Sequence, residues 1–170
     1  MFQNNYNNKI QNKISSEFLK KGYLIFEIKN LMKLKKIRQE IKKYIKSKIH
    51  YKATIENLHN FISPEDLNSK RMSLYSKLNS KEEFLKTYYE LGKDYLDIIC
   101  GNELVMQRKV NLSIQLSNDD SSLLPLHSDV WSGCSPFEVV LWIPMVDCKK
   151  TSSMYILSRN DNDQFYKKIH

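Results

Sequence analysis

After Gly101 the hydrophobic period of this chain changes from near 3.6 residues to 2. Upstream, Leu31, Leu34, Ile37, Ile41, Ile45 and Ile49 recur three and four apart, which predicts one amphipathic helix over about residues 30–48. Ser63 before Pro64 predicts a capped second helix, with Leu67, Arg71, Leu74, Tyr75 and Leu78 on one face. Ser80 with Glu83 three residues on reads as a capping box opening a third helix. Phe84, Tyr88, Leu91, Tyr95 and Ile98 mark its buried side, and Gly101 ends it. The stretch "SSEFLKKGYLIFEI" reads as a short helix ending near Gly22, followed by a strand from Tyr23 to Ile28.

Downstream the alternation is clean. In "VNLSIQLS", Val110, Leu112, Ile114 and Leu116 fall on one face and Asn111, Ser113, Gln115 and Ser117 on the other. "SNDDSS" reads as a turn, "FEVVLWIPMVD" as a second strand and "SSMYIL" as a third. The expectation is a single α+β domain over residues 1–170. About 15–100 would be mainly helical with one early strand, and about 104–170 would be β-rich. Three to four strands are too few for a closed jelly roll, which generally needs about eight. The last residues, "QFYKKIH", read as the middle of a helix, so the β-part is expected to be incomplete and the chain truncated.

The 11% aromatic content argues against disorder, and 170 residues suffice for a real core. The polar opening "MFQNNYNNKIQNK" has no apolar signal region, and no apolar run reaches the roughly 20 residues that span a bilayer. Cys100, Cys134 and Cys148 are odd in number and lack metal-ligand spacing, which predicts reduced thiols and a cytoplasmic location. Of the net charge of +8, residues 29–52 alone carry +9. The protein therefore has one basic helix rather than a basic surface. Such a helix can bind nucleic acid, anionic lipid or a phosphorylated substrate, but it is ordinarily a solvated face, and no aromatic residues are interleaved as in a single-strand-binding surface.

The chemistry-bearing stretch is "LPLHSDVW", residues 124–131. On extended backbone, His127 and Asp129 point to the same side. An imidazole nitrogen and a carboxylate oxygen so placed are two arms of the 2-His-1-carboxylate triad that holds Fe(II). The other reading is a hydrogen-bonded His–Asp pair in a loop, because His-x-Asp is common. Asn111, Ser113 and Gln115 could line a pocket mouth or face solvent. Trp131 and Trp142 read as core or pocket wall. Glu138 and Trp142 fall opposite Val139, Leu141 and Ile143, which makes Glu138 a candidate site contact.

The run "MQRKVNLSIQL…DDSSLLPLHSDVWSGCSPFEVVLWIPMVDCKKTSSMYIL" resembles the Fe(II)/2-oxoglutarate-dependent oxygenases of bacterial carbohydrate biosynthesis clusters, the StrG-like proteins. "LHSDVWSG" and "EVVLW", in this order and spacing, are its most specific parts. The resemblance implies a double-stranded β-helix with outer helices, of which this chain would hold the first half. It implies His127 and Asp129 as iron ligands, with Fe(II) and 2-oxoglutarate as cofactor and co-substrate. It further implies O₂ and a sugar, nucleotide sugar or related small molecule as reaction partners. Asn111, Ser113, Gln115, Trp131 and Glu138 become candidate co-substrate or substrate contacts. Nucleic acid is not expected as a partner, and the oligomeric state is open. The family also uses a distal histidine and a basic residue for the 2-oxoglutarate carboxylate. His170 is the only later histidine and Arg159 the only later arginine, and neither is assigned. Rival expectations are a non-catalytic relative, a cupin-type sugar-binding or isomerising jelly roll, and an adaptor using the basic helix.

Overall fold

The structure, a computed structural model, describes residues 2–117, 119–120 and 123–169. It contains the α-helices α1 (Phe2–Lys21), α2 (Leu31–Lys48), α3 (Pro64–Asn79), α4 (Glu82–Cys100) and α5 (Arg159–Ile169). Short 3₁₀ turns lie at Leu58–Asn60, Asp129–Ser132 and Lys150–Ser152. No β-strand occurs among the described residues. The α+β expectation, with its partial double-stranded β-helix or jelly roll, is therefore overturned: the regular structure is helical. The chain forms two compact units, Asn30–Leu91 with Met106–Asp147, and Met1–Lys29 with Gly92–Val105 and Cys148–His170.

The first unit holds the core. Among the described residues, the buried apolar side chains all belong to it: Ile37, Ile41, Tyr44 and Ile45 of α2, Leu67, Leu74 and Leu78 of α3, Leu91 of α4, and Ala53, Leu58 and Val110 outside these helices. Of the stripe predicted for α2, Ile37, Ile41 and Ile45 are buried, Leu34 and the C-cap Ile49 are half-buried, and Leu31 is exposed. The Asn30 side chain caps α2 by accepting from the Lys33 N–H at 3.2 Å. Ser63 caps α3 in the same way through the Asp66 N–H, with Pro64 in the first turn. The capping box expected at Ser80 does not form. Ser80 closes α3 instead, its hydroxyl donating to the Lys77 carbonyl, and Glu83 pairs with Lys36.

The period-2 segments keep their alternation without becoming strands. Val110 is buried and Leu112, Ile114 and Leu116 are half-buried, while Asn111, Ser113, Gln115 and Ser117 are exposed. Val139, Leu141 and Ile143 are likewise half-buried between exposed neighbours. Alternation reports only that one side of an extended chain meets an apolar surface, and here that surface is made of helices. The backbone partners that a ladder would have supplied come from helical side chains. Asn79 accepts from the Val110 N–H at 2.7 Å and donates to the Val110 carbonyl at 3.0 Å. Arg71 donates to the Leu112 carbonyl at 3.1 Å, Tyr88 to the Leu141 carbonyl at 2.6 Å, and Arg38 to the Met145 carbonyl. Burial pushes the Tyr88 hydroxyl up to about 12, so it remains a donor across the physiological range.

The outward sides of these segments are apolar in places. Leu123, Leu124, Leu126, Val130, Phe137 and Val140 are all exposed, Phe137 at 91%. Trp131 and Trp142, expected in a core or pocket wall, are also exposed, at 60% and 45%.

The second unit has no fully buried apolar side chain among the described residues. Its first helix is longer than predicted, beginning at Phe2, and it ends as expected at Gly22, whose N–H reaches the Phe18 carbonyl at φ +80°. Residues 23–28 are not a strand; Phe26 stacks on Tyr95 of α4 at 4.0 Å. Arg159, at the start of α5, donates to the Leu19 carbonyl at 3.0 Å.

Two stability measurements follow from the packing of the first unit. Ile45 is 1% exposed, so Ile45→Ala is expected to cost about 2–5 kcal/mol in urea unfolding. Met32→Ala, on the exposed side of the same helix, is expected to stay within about 0.5 kcal/mol. Asn79→Ala leaves the Val110 N–H and carbonyl without their protein partner, at an expected cost of about 1–3 kcal/mol. In that variant, hydrogen exchange at the Val110 amide should accelerate.

Candidate metal centre

Residues 124–134 form an irregular arm that bends at Leu126 and runs into a tight turn. Pro125 biases Leu124 to extended backbone, and Ser128 is extended at φ −119°, ψ 137°. The 3₁₀ turn Asp129–Ser132 follows, with the Trp131 N–H bonded to the Ser128 carbonyl at 2.9 Å. Gly133 ends it at φ +88°, a conformation that glycine adopts without strain, and the Cys134 N–H returns to the Asp129 carbonyl at 3.2 Å. Ser128 thus separates two residues whose side chains leave the chain on one side.

The result is a converging pair. His127 Nε2 lies 3.6 Å from Asp129 Oδ1. His127 Nδ1 lies 2.7 Å from the Pro125 carbonyl oxygen, which can only accept. Nδ1 therefore carries the proton, and in the neutral ring Nε2 presents its lone pair beside the carboxylate. A backbone carbonyl holding the far nitrogen is the arrangement that orients metal-ligating histidines. Two donor bonds of about 2.1 Å, typical for imidazole and carboxylate on a divalent ion, easily span the observed gap. Both side chains are exposed, so the pair opens to solvent. With a protonated imidazole the same geometry is a surface ion pair.

No third donor joins them: no group of three His, Cys, Asp or Glu side chains in metal-binding proximity occurs among the described residues. Cys134 is the nearest sulfur in sequence. Its thiol is pushed up by partial burial and by the carboxylates of Glu138 and Asp129, with Glu138 also hydrogen-bonded to it. It stays protonated and is a poor ligand.

The other expected site residues are not gathered here. Asn111, Ser113 and Gln115 face solvent, and no hydrogen bond links them to His127 or Asp129. With no barrel they have no mouth to line. Trp131 lies in the Asp129 turn but is 60% exposed. Glu138 is exposed and contacts Cys134 rather than the His–Asp pair, a neighbourhood that sequence reasoning missed. Arg159 belongs to the second compact unit, and His170 lies outside the described residues. No family model, curated protein or solved structure matches this chain.

The geometry sets a measurable expectation. Anaerobic titration with Fe(II), or with Co(II) as a spectroscopic substitute, should show one weak site. His127→Ala and Asp129→Ala should each weaken it at least tenfold, while Ser113→Ala should leave it unchanged.

Proposed function

We propose that the arm carrying His127 and Asp129 is the metal-holding element of a non-haem Fe(II)- and 2-oxoglutarate-dependent oxygenase acting on a sugar, nucleotide sugar or related small molecule. The observation that carries this reading is the 3.6 Å approach of Nε2 to Oδ1 with Nδ1 tied to the Pro125 carbonyl. The oxygenase class and the substrate class rest on the resemblance of "LHSDVWSG" and "EVVLW" to the carbohydrate-cluster enzymes. The fold expected of that family is not the one described here, so the proposal rests on this local arm.

Within it each residue has a physical task. Pro125 and the extended Ser128 set the direction of the two donors. The Pro125 carbonyl fixes the His127 tautomer and holds the ring in place. Asp129 supplies negative charge that favours a divalent cation over a neutral ligand. The exposure of the pair leaves the remaining coordination positions to small molecules rather than to protein. A bound Fe(II) would supply O₂ activation coupled to decarboxylation of 2-oxoglutarate to succinate and CO₂.

Under anaerobic conditions, Fe(II) plus 2-oxoglutarate is expected to give a visible charge-transfer band that His127→Ala abolishes. On admitting air, succinate should accumulate slowly even without a primary substrate. Metal binding without either signal would restrict the arm to a cation site and sink the oxygenase reading.

A further inference from the structure

We propose that the solvent face of α2, with Tyr51 and Lys52 beyond its end, binds single-stranded nucleic acid. A different part of the molecule carries this inference, independent of the His127–Asp129 arm.

Ion pairs and helical position sort the basic residues of α2, the terminal Lys48 apart, into two sets. Lys33 pairs with Glu90 at 2.6 Å, Lys36 with Glu83, and Arg38 with Glu56 at 2.8 Å. These tie the helix to its own unit. Lys35, Lys42, Lys43 and Lys46 are different. Their spacing puts them on one stripe, opposite the buried Ile37, Ile41, Tyr44 and Ile45. At 1.5 Å per residue the stripe runs about 16 Å. Among the described residues, no carboxylate lies within ion-pairing distance of any of the four. Lys42 and Lys43 feel Glu56 and Glu40, but those carboxylates already pair with Arg38 and Lys81.

The helix dipole does not explain this placement. Cations favour the C-terminal end of a helix, which accounts for Lys46 and Lys48 in the last turn. It does not account for Lys35, near the N-terminal end, where the first turn holds no acidic residue. A row of unpaired ammonium groups is a surface for a polyanion.

The aromatic end of the helix narrows the class. Tyr51 is 68% exposed. His50 lies against it at 4.6 Å and stacks on Phe61 at 4.7 Å, and Lys52 Nζ sits 5.5 Å from the Tyr51 ring centre. An exposed ring held against His50, with the Lys52 ammonium over it as a mobile cover, offers a stacking surface to an unpaired base once that side chain swings to a phosphate. The bases of a duplex are already stacked and would leave it unused. A membrane surface fits less well, because α2 buries Ile37, Ile41, Tyr44 and Ile45 in the protein, and its exposed apolar residues, Leu31 and Met32, lie at the opposite end of the helix from Tyr51.

The test is fluorescence anisotropy with labelled dT20, at salt concentrations from 20 to 200 mM. Five engaged lysines, Lys52 included, predict a log–log salt slope of about −3.5 for a single strand. Lys35→Gln/Lys42→Gln/Lys46→Gln should weaken binding more than tenfold and reduce that slope by about 2. Tyr51→Ala should weaken binding about fivefold or more at unchanged slope. Lys33→Gln and Lys36→Gln, which change paired lysines, should have little effect on affinity. Circular dichroism of each variant checks that the helices persist. The proposal is overturned by absence of binding at 20 mM salt, or by a Tyr51→Ala variant that binds as wild type. Equal or tighter binding to a matched duplex, a sulfated glycan, or vesicles of phosphatidylserine and phosphatidylcholine at 3:7 would overturn it as well.

Discussion

Burial of one face of α2 is the interaction on which the rest of the larger unit depends. Ile37, Ile41, Tyr44 and Ile45 meet the leucines of α3, with Leu91 of α4 completing the apolar core. Burying each side chain of this size is worth about 1.5–3 kcal/mol relative to exposure. The peripheral ion pairs of Lys33, Lys36 and Glu40 add little by themselves, since exposed pairs contribute at most about 1 kcal/mol. They matter more as orientation devices: they use the acids of α4 and the lysine before it to fix which way α2 is rotated. That rotation puts one basic stripe in water.

Helices were legible in the sequence to the extent that their signals are local. The Ser63 cap, Pro64, and the glycines at 22 and 101 act within a few residues of themselves, and the helices stop or start there. The Ser80 signal failed because two uses competed for one residue. Ser80 lies between two helices separated by two residues, and closing α3 takes precedence over opening α4. In the C-terminal half the alternation was read correctly and its cause was not. Period 2 distinguishes inside from outside on an extended chain, but it is silent on whether the neighbour is a strand or a helix. The deciding residues, Asn79, Arg71, Tyr88 and Arg38, lie far upstream. No pattern within the extended segments points to them.

The site shows the same division. That His127 and Asp129 share a side follows from one extended residue between them, so the pair was legible. What surrounds it depends on tertiary packing, so the expected places of Asn111, Ser113, Gln115, Trp131 and Glu138 rest on a barrel whose strands do not occur among the described residues. The Tyr51 platform was missed for a related reason. The helix carries no aromatic residue among its outward lysines, and the ring sits in the turn beyond it, where only the packing of His50 and Phe61 reveals a braced surface.

The two hydrogen bonds between Asn79 and Val110 engage the N–H and the carbonyl of the same residue. This makes the amide a register lock. If the extended segment slipped by one position, Asn111 would occupy the bracket, and every residue after it would exchange inside for outside. Leu112, Ile114 and Leu116 would turn to water, and Asn111, Ser113 and Gln115 would turn to the leucines of α3. A strand in a sheet holds its register through many repeated bonds. Here a single side chain at the end of a helix does much of that work, with the Arg71 bond to Leu112 two residues further on as its check.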